Sequence, residues 1–284
     1  MTNIKQINFR LIICFTLFSV LLCFLISCNN SKEESNPKEQ ILIPMINSTD
    51  FAWNNLTISA NQVVKTDSNG IDIELLIEND SLNEYSISSA AVIINNGMTD
   101  ATYESIARAK ETLTDILHIS FSDLEFAGIV NVGQVEMHFD IHNQATNESV
   151  VKAGVLSITL SEPSLPMISG HILYDQHGIK IYGQYVDETT VWDSSVLIYV
   201  QNNSDKNIFV SCEQVSVNDS NVIGTYNELI YANKHSVDNI PIPSTNMDIN
   251  DIGISDSIIL KMKIVDADTL EIVDVTDPIS FRAN

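Results

Sequence analysis

Apolar residues fall on every second position through much of this chain. Ile71, Ile73, Leu75 and Ile77 do so, as do Val135, Met137, Phe139 and Ile141. Val196, Ile198 and Val200 follow the same rule, and so do Ile258, Leu260, Met262 and Ile264. Period-two spacing predicts strands with one face buried and the other in water. By the same reasoning strands are expected over 56–63, 86–95, 113–121 and 150–160, and again over 179–186, 209–218, 236–242 and 273–282. Asn79-Asp80-Ser81 and Asn202-Asn203-Ser204 place turn formers between strands. Ser122 with Glu125, and Thr245 with Asp248, have the spacing of a helix capping box, which predicts one short helical turn in each place. Residues 99–110 are expected to be a loop with room for a turn of helix, because Tyr103, Ile106 and Ala107 suit a helical face.

The pattern is written twice. From Leu56 to the C-terminus the chain matches itself without a gap at a single offset, which pairs Val63 with Val186, Asn79 with Asn202, Ser81 with Ser204, Val92 with Val215 and Asn95 with Asn218. Thr102-Tyr103 pairs with Thr225-Tyr226, Asp115 with Asp238 and Ile141 with Ile264 in the same register. Repetition at a fixed period marks a duplicated structural unit. About seven short strands in each copy of about 115 residues is the count of an immunoglobulin-like sandwich. The expected fold class is therefore all-β, with two tandem immunoglobulin-like β-sandwich domains.

The N-terminus follows another rule. Lys5 and Arg10 precede the uncharged apolar run 11–26, the shape of a secretion signal. A permanent membrane span is the competing reading, but a helix over that run would be only about 24 Å long, short of a hydrocarbon core of about 30 Å. Leu25-Ile26-Ser27-Cys28 closes the run and resembles the bacterial lipobox. The resemblance implies that the Cys28 thiol receives diacylglyceryl and that cleavage leaves Cys28 as the new N-terminus. Acyl chains of the palmitate kind then anchor the protein to a membrane, each buried methylene contributing about 0.8 kcal/mol. Residues 29–40 have nothing apolar to bury and read as a tether. The expected map is a signal peptide over 1–27, a flexible tether over 28–48, sandwiches over 49–162 and 168–284, and a stiff connector over 163–167 bearing Pro163 and Pro166.

Charge and cysteine count narrow the function. The formal charge is −23, and loss of residues 1–27, which hold Lys5 and Arg10 and no acid, takes it to −25. Such a surface repels phosphate backbones and anionic headgroups, so no nucleic-acid partner is expected. Cys14 and Cys23 lie in the leader and Cys28 is the lipid site. Cys212 then stands alone, each domain must be held by its apolar core, and a buried, inert thiol is expected at that position.

Val200 to Ile208, the following Val215-Ser216-Val217-Asn218, and Ile264 to Thr269 with Thr276-Asp277-Pro278-Ile279 together resemble a repeat domain of lipoproteins from low-GC Gram-positive bacteria such as clostridia. The second copy keeps these motifs more fully than the first. The resemblance implies location at the extracytoplasmic face of the cell membrane and a β fold, and it implies no catalytic residue.

Candidate chemistry is thin. His138, Asp140 and His142 alternate on one strand and point away from the core; the second copy has Lys261, Lys263 and Val265 there, which favours a solvated face over a zinc site. His171, Asp175 and His177 bracket an expected hairpin turn. Asp266, Asp268 and Glu271 put carboxylates close enough together to raise weak calcium binding as a hypothesis, although the glycine of a full calcium loop is missing. No nucleophile elbow, zinc-protease motif or phosphate loop occurs. No catalytic residue, cofactor or metal is assigned. The expectation is a non-enzymatic surface lipoprotein that binds or presents to an envelope partner. The alternatives are an extracytoplasmic enzyme or inhibitor with a loop-built site, and a passive spacer.

Overall fold

The computed structural model describes residues 40–66, 70–163, 170–186, 195–218, 220–222, 225–242 and 257–282. The expected signal peptide, Cys28 and residues 28–39 of the expected tether lie outside the described residues, as do residues 164–167 of the expected connector and the Thr245–Asp248 capping spacing. Residues 40–284 cluster as one compact unit. Within it are two separate hydrophobic cores, one built from residues between Phe51 and Leu160 and the other from residues between Leu173 and Phe281.

The first half contains β1 (Gln40–Ile43), β2 (Asn47–Thr49), β3 (Phe51–Trp53), β4 (Leu56–Thr66), β5 (Gly70–Asn79) and β6 (Tyr85–Ile94). It continues with β7 (Gly97–Thr99), β8 (Glu104–Ala107), β9 (Glu111–Ser120), the helix α1 (Phe121–Phe126), β10 (Gln134–Asn143) and β11 (Ser149–Thr159). The second half contains β12 (His171–Gln176), β13 (Ile179–Val186), β14 (Ser195–Asn202), β15 (Ile208–Val217) and β16 (Ser220–Val222). It ends with β17 (Asn227–Ile230), β18 (His235–Pro241), β19 (Ser257–Asp266), β20 (Ile272–Val275) and β21 (Ile279–Arg282).

In the first half the sheet β1-β4-β5-β9 faces strands β6, β10, β11 and β2 across the core. Ile58, Ile73, Leu75 and Leu117 come from one side, and Ile87, Val92, Met137 and Phe139 from the other. Each such side chain contributes about 1.5–3 kcal/mol by leaving water. The second half repeats this with β12-β13-β14-β18 against β16-β15-β19-β20. The fold is thus all-β, with sheets layered face to face around apolar cores. One parallel bridge, His235 to Gly97, joins β18 to β7 and merges a sheet of each half into a ten-stranded one.

The duplication is visible in the hydrogen bonds. Asn79 Nδ2 donates to the carbonyls of Asn83, Ala107 and Arg108, and its Oδ1 accepts from the backbone N–H and hydroxyl of Ser81. Asn202 does the same with Lys206, Ile230, Tyr231 and Ser204. Positive φ recurs at Asn54 and His177, Asn55 and Gly178, Asn95 and Asn218, Lys110 and Asn233, and Asn147 and Leu270. These are the positions where a two-residue hairpin or a left-handed turn residue is required.

Four expectations need correcting. Residues 40–43, expected to belong to the flexible tether, form strand β1, which pairs with β4 and packs Ile43 against the core. The helix is capped two residues earlier than expected: Ser120 accepts from the Asp123 N–H while Asp123 bonds back to the Ser120 N–H. Residues 104–107 form a strand on β6, with Ala107 inward, and not a loop. The last strand of the second half is broken in two around Pro278, which has no N–H to donate, and Thr276 bonds Met262 through both its backbone N–H and its hydroxyl at the break.

Candidate functional site

The acidic trio of the second half proves to organise a turn. Asp266 Oδ1 accepts from the N–H groups of Asp268 and Thr269, both at 3.0 Å, and Oδ2 accepts from Lys206 Nζ at 2.7 Å. Lys206 and these N–H donors hold the Asp266 carboxyl down to about 2. Asn143 makes the corresponding turn in the first half, accepting from Ala145 and Thr146. The Lys206 ammonium therefore takes the place beside Asp266 that a calcium ion would need, and Asp268 and Glu271 are exposed. Among the described residues no three His, Cys, Asp or Glu side chains are grouped to hold a metal.

The other sequence candidates do not converge either. His177 and Gly178 form the tight turn between β12 and β13, His171 packs on the Phe281 ring at 5.4 Å, and Asp175 pairs with Lys180 at 2.9 Å. Cys212 is half-buried beside the second core and burial pushes its thiol up, which makes it a poor nucleophile.

His138 overturns its expectation, since it does not face water. Its side chain is only 13% exposed, bonded to Glu136 on one side, and its ring meets that of Tyr231, from the second half, edge-on at 4.8 Å. What covers this strand face is the other half of the molecule. Lys234 Nζ crosses to Glu136 Oε2 at 2.7 Å and to Asn96 Oδ1 at 3.2 Å, and the His235 N–H donates to the Asn96 carbonyl at 2.9 Å. Glu136 is held down to about 2, by the His138 hydrogen bond first and by Lys234 next, against the opposing effect of burial. His235 stacks on Tyr199, and burial pushes its imidazole down to about 4. Gly97 is needed for this approach, because a Cβ there would lie 2.9 Å from His235 Nε2.

Beside this junction is a cleft of about 300 Å³ whose lining comes from both halves. Asp100 follows β7 and Asp123 sits on α1, with Met98 and Phe126 beside them; Glu228 on β17 and Asp238 on β18 close the opposite side. Among the described residues that line it there is no Lys, Arg or His. The chain matches no protein-family model and no curated protein. The cleft must therefore be interpreted from its own chemistry.

Glu228 and Asp238 line this cleft together with Asp100. Burial, then the neighbouring Asp238 and Asp100, push the Glu228 carboxyl up to about 7; burial also raises Asp238. The first half shows what the pair replaces. There Ser105 stands where Glu228 does, and Asp115 accepts the Tyr103 hydroxyl at 3.2 Å. In the second half the matching Tyr226 hydroxyl is buried and has no hydrogen-bond partner among the described residues. The sequence contains a signal for this difference, since Ser105 and Glu228 occupy the same register position, but only the fold shows that the second faces Asp100. A second groove, about 510 Å³ and more open, is lined by the second half alone around Asp274 and Asp277.

Proposed function

We propose that this protein is a lipid-anchored lipoprotein of the extracytoplasmic membrane face, made of two tandem immunoglobulin-like domains that bind or present to an envelope partner without catalysing a reaction. The reading places it with the tandem-repeat lipoproteins it resembles. The observation that carries it is the leader: Lys5 and Arg10, the apolar run behind them, and Leu25-Ile26-Ser27-Cys28 at its end. The strand count per half and the layered sheets support the domain reading. The formal charge of −23 supports a partner that is neutral or basic, and not a nucleic acid. The competing reading, an extracytoplasmic enzyme or inhibitor, draws on the carboxyl-lined cleft.

Cells fed labelled palmitate should incorporate it into the wild-type chain and not into Cys28→Ala, and the mature N-terminal peptide should begin at residue 28 with the mass of its acyl groups. A mature chain that still starts at Met1, or one that carries no lipid, defeats the proposal.

A further inference from the structure

The contact between the halves uses one sheet edge from each repeat, and each repeat carries both kinds of edge. β18 offers its edge to β7. Its counterpart in the first half is β9, which pairs with β5 in the register in which β18 pairs with β14, Thr112 opposite Glu78 as His235 is opposite Gln201. The counterpart of β7 in the second half is β16, which pairs with β15 as β7 pairs with β6, Ser220 opposite Val217 as Gly97 is opposite Ile94. Inside the chain one edge of each kind is used; β9 and β16 end their sheets among the described strands. We propose that β9 of one chain takes β16 of a second copy, in the parallel register in which β18 takes β7, so that molecules join head to tail.

β9 is open where β18 is covered. Thr112, Thr114, Ile116 and His118 are exposed along it, whereas His235 is buried and Val237 and Asn239 are half-buried. A ten-residue edge with no lysine or proline in it invites a partner strand. The opposite edge of the same sheet is closed by β1 on β4, which leaves β9 as the side where the sheet can grow. The two edges are also blunted at the same place. Asp238 accepts the Asn239 N–H at 2.7 Å, and Asp115 accepts the Ile116 N–H at 2.8 Å. The stretch left to pair therefore begins at His235 in one strand and at Thr112 in the other.

The residues at the contact differ together between the repeats. Gly97 is needed opposite His235, because a Cβ there would lie 2.9 Å from Nε2. The corresponding identities are Ser220 and Thr112, two small residues in place of a glycine and a ring. On the acceptor side Arg108 and Glu111 stand where Tyr231 and Lys234 do; on the donor side Asp219, Ile259 and Lys261 stand where Asn96, Glu136 and His138 do. The new contact thus brings two charges of each sign together. A contact between unlike surfaces builds strings or rings and not a symmetric pair.

The halves of one chain, joined by a short connector, meet at an effective concentration of about 1 mM, so separate chains are compared at about that concentration, in detergent with about 0.15 M salt to screen their net charge. The outcome then does not depend on lipid at Cys28. Facing residues on neighbouring strands lie about 4.8 Å apart, within the span of about 4.4–6.8 Å that a disulfide bridges. Full-length chains bearing Thr112→Cys are mixed with chains bearing Ser220→Cys and oxidised, with wild type setting the background from Cys212. The mixed 112–220 product should outweigh both symmetric products severalfold, and a chain carrying both substitutions should give a ladder of oligomers. In wild type the Thr112 amide should gain protection from hydrogen exchange as concentration rises from about 0.01 to about 1 mM, while Leu117 on the same strand keeps its own. Symmetric products in excess would mean that like edges meet, and no mixed product above background would mean that β9 takes a strand from elsewhere or none; either overturns the proposal. A Thr112 amide whose protection ignores concentration overturns it as well, whether or not the cysteine variants fold.

Discussion

Asn79 and Asn202 show how much one side chain can hold. Each uses both amide hydrogens and its carbonyl to tie a turn to the strand pair behind it, and the amide of Asn202 reaches the buried carbonyl of Ile230 at 3.2 Å. Removing it strands several backbone groups, each buried one costing about 1–3 kcal/mol, while those near the surface are rescued by water. Asn202→Ala and Asn79→Ala should therefore each lower unfolding free energy by about 2–4 kcal/mol in urea titrations. Asn202→Asp should fare little better than Asn202→Ala, because a carboxylate has the shape but no hydrogens to donate. A midpoint for Asn202→Ala equal to wild type would show that the network is ornamental. The repeated Asn-x-Ser spelling made the turn legible in the sequence, though its carbonyl partners, 28 and 29 residues away, were not. Asp266 illustrates the opposite case: three acids in a short span suggest a cation, and the fold answers with the Lys206 side chain from 60 residues earlier.

At the scale of elements, strands with one wet and one buried face were legible because their spacing records which side is buried. Features set by a choice between equal options were not. Ser120 with Asp123 and Ser122 with Glu125 both fit a capping box, and the choice fell to where β9 ends. The strand β1 was hidden because a short apolar run beside Pro44, following a polar stretch, carries no alternation to read. Turn chemistry also leaves one visible mismatch. Asn147 and Leu270 occupy the same left-handed turn position, with φ of 57° and 59°. Asn tolerates that conformation, whereas a residue such as Leu costs about 1–2 kcal/mol there. Leu270 is also 70% exposed, so it recovers little by burial. Leu270→Asn should raise stability by about 0.5–1 kcal/mol and Asn147→Leu should lower it by a similar amount, seen as opposite shifts in melting temperature. If Leu270→Asn melts no higher than wild type, the left-handed strain is not what limits that turn.

For the whole molecule the junction matters most, and it was the least legible part. Alternation reveals the side of a strand that faces its own core; it does not reveal whether a second set of sheets covers the other side. His138 looked solvated for that reason, and the groups that cover it, Tyr231 and Lys234, lie some ninety residues further along the chain. Lys234 and Glu136 are 13% and 17% exposed, so their pairing at 2.7 Å takes place mostly out of water. Breaking a buried pair from one side leaves the other charge stranded, at a cost of about 3–5 kcal/mol. Lys234→Met should spend that cost at the junction and not in either core, so that thermal unfolding separates into two steps where wild type shows one. The acid limb should move too. Glu136 is held down to about 2, so its contribution is present above the ordinary carboxylate range and lost as pH falls through about 2. Without Lys234 the carboxyl rises and the same loss begins at higher pH. Adding Glu136→Gln to Lys234→Met removes the stranded charge and should restore most of the lost stability, which a simple loss of packing by Met could not explain. If the double variant is no more stable than Lys234→Met alone, the halves are joined by contact area and not by this ion pair.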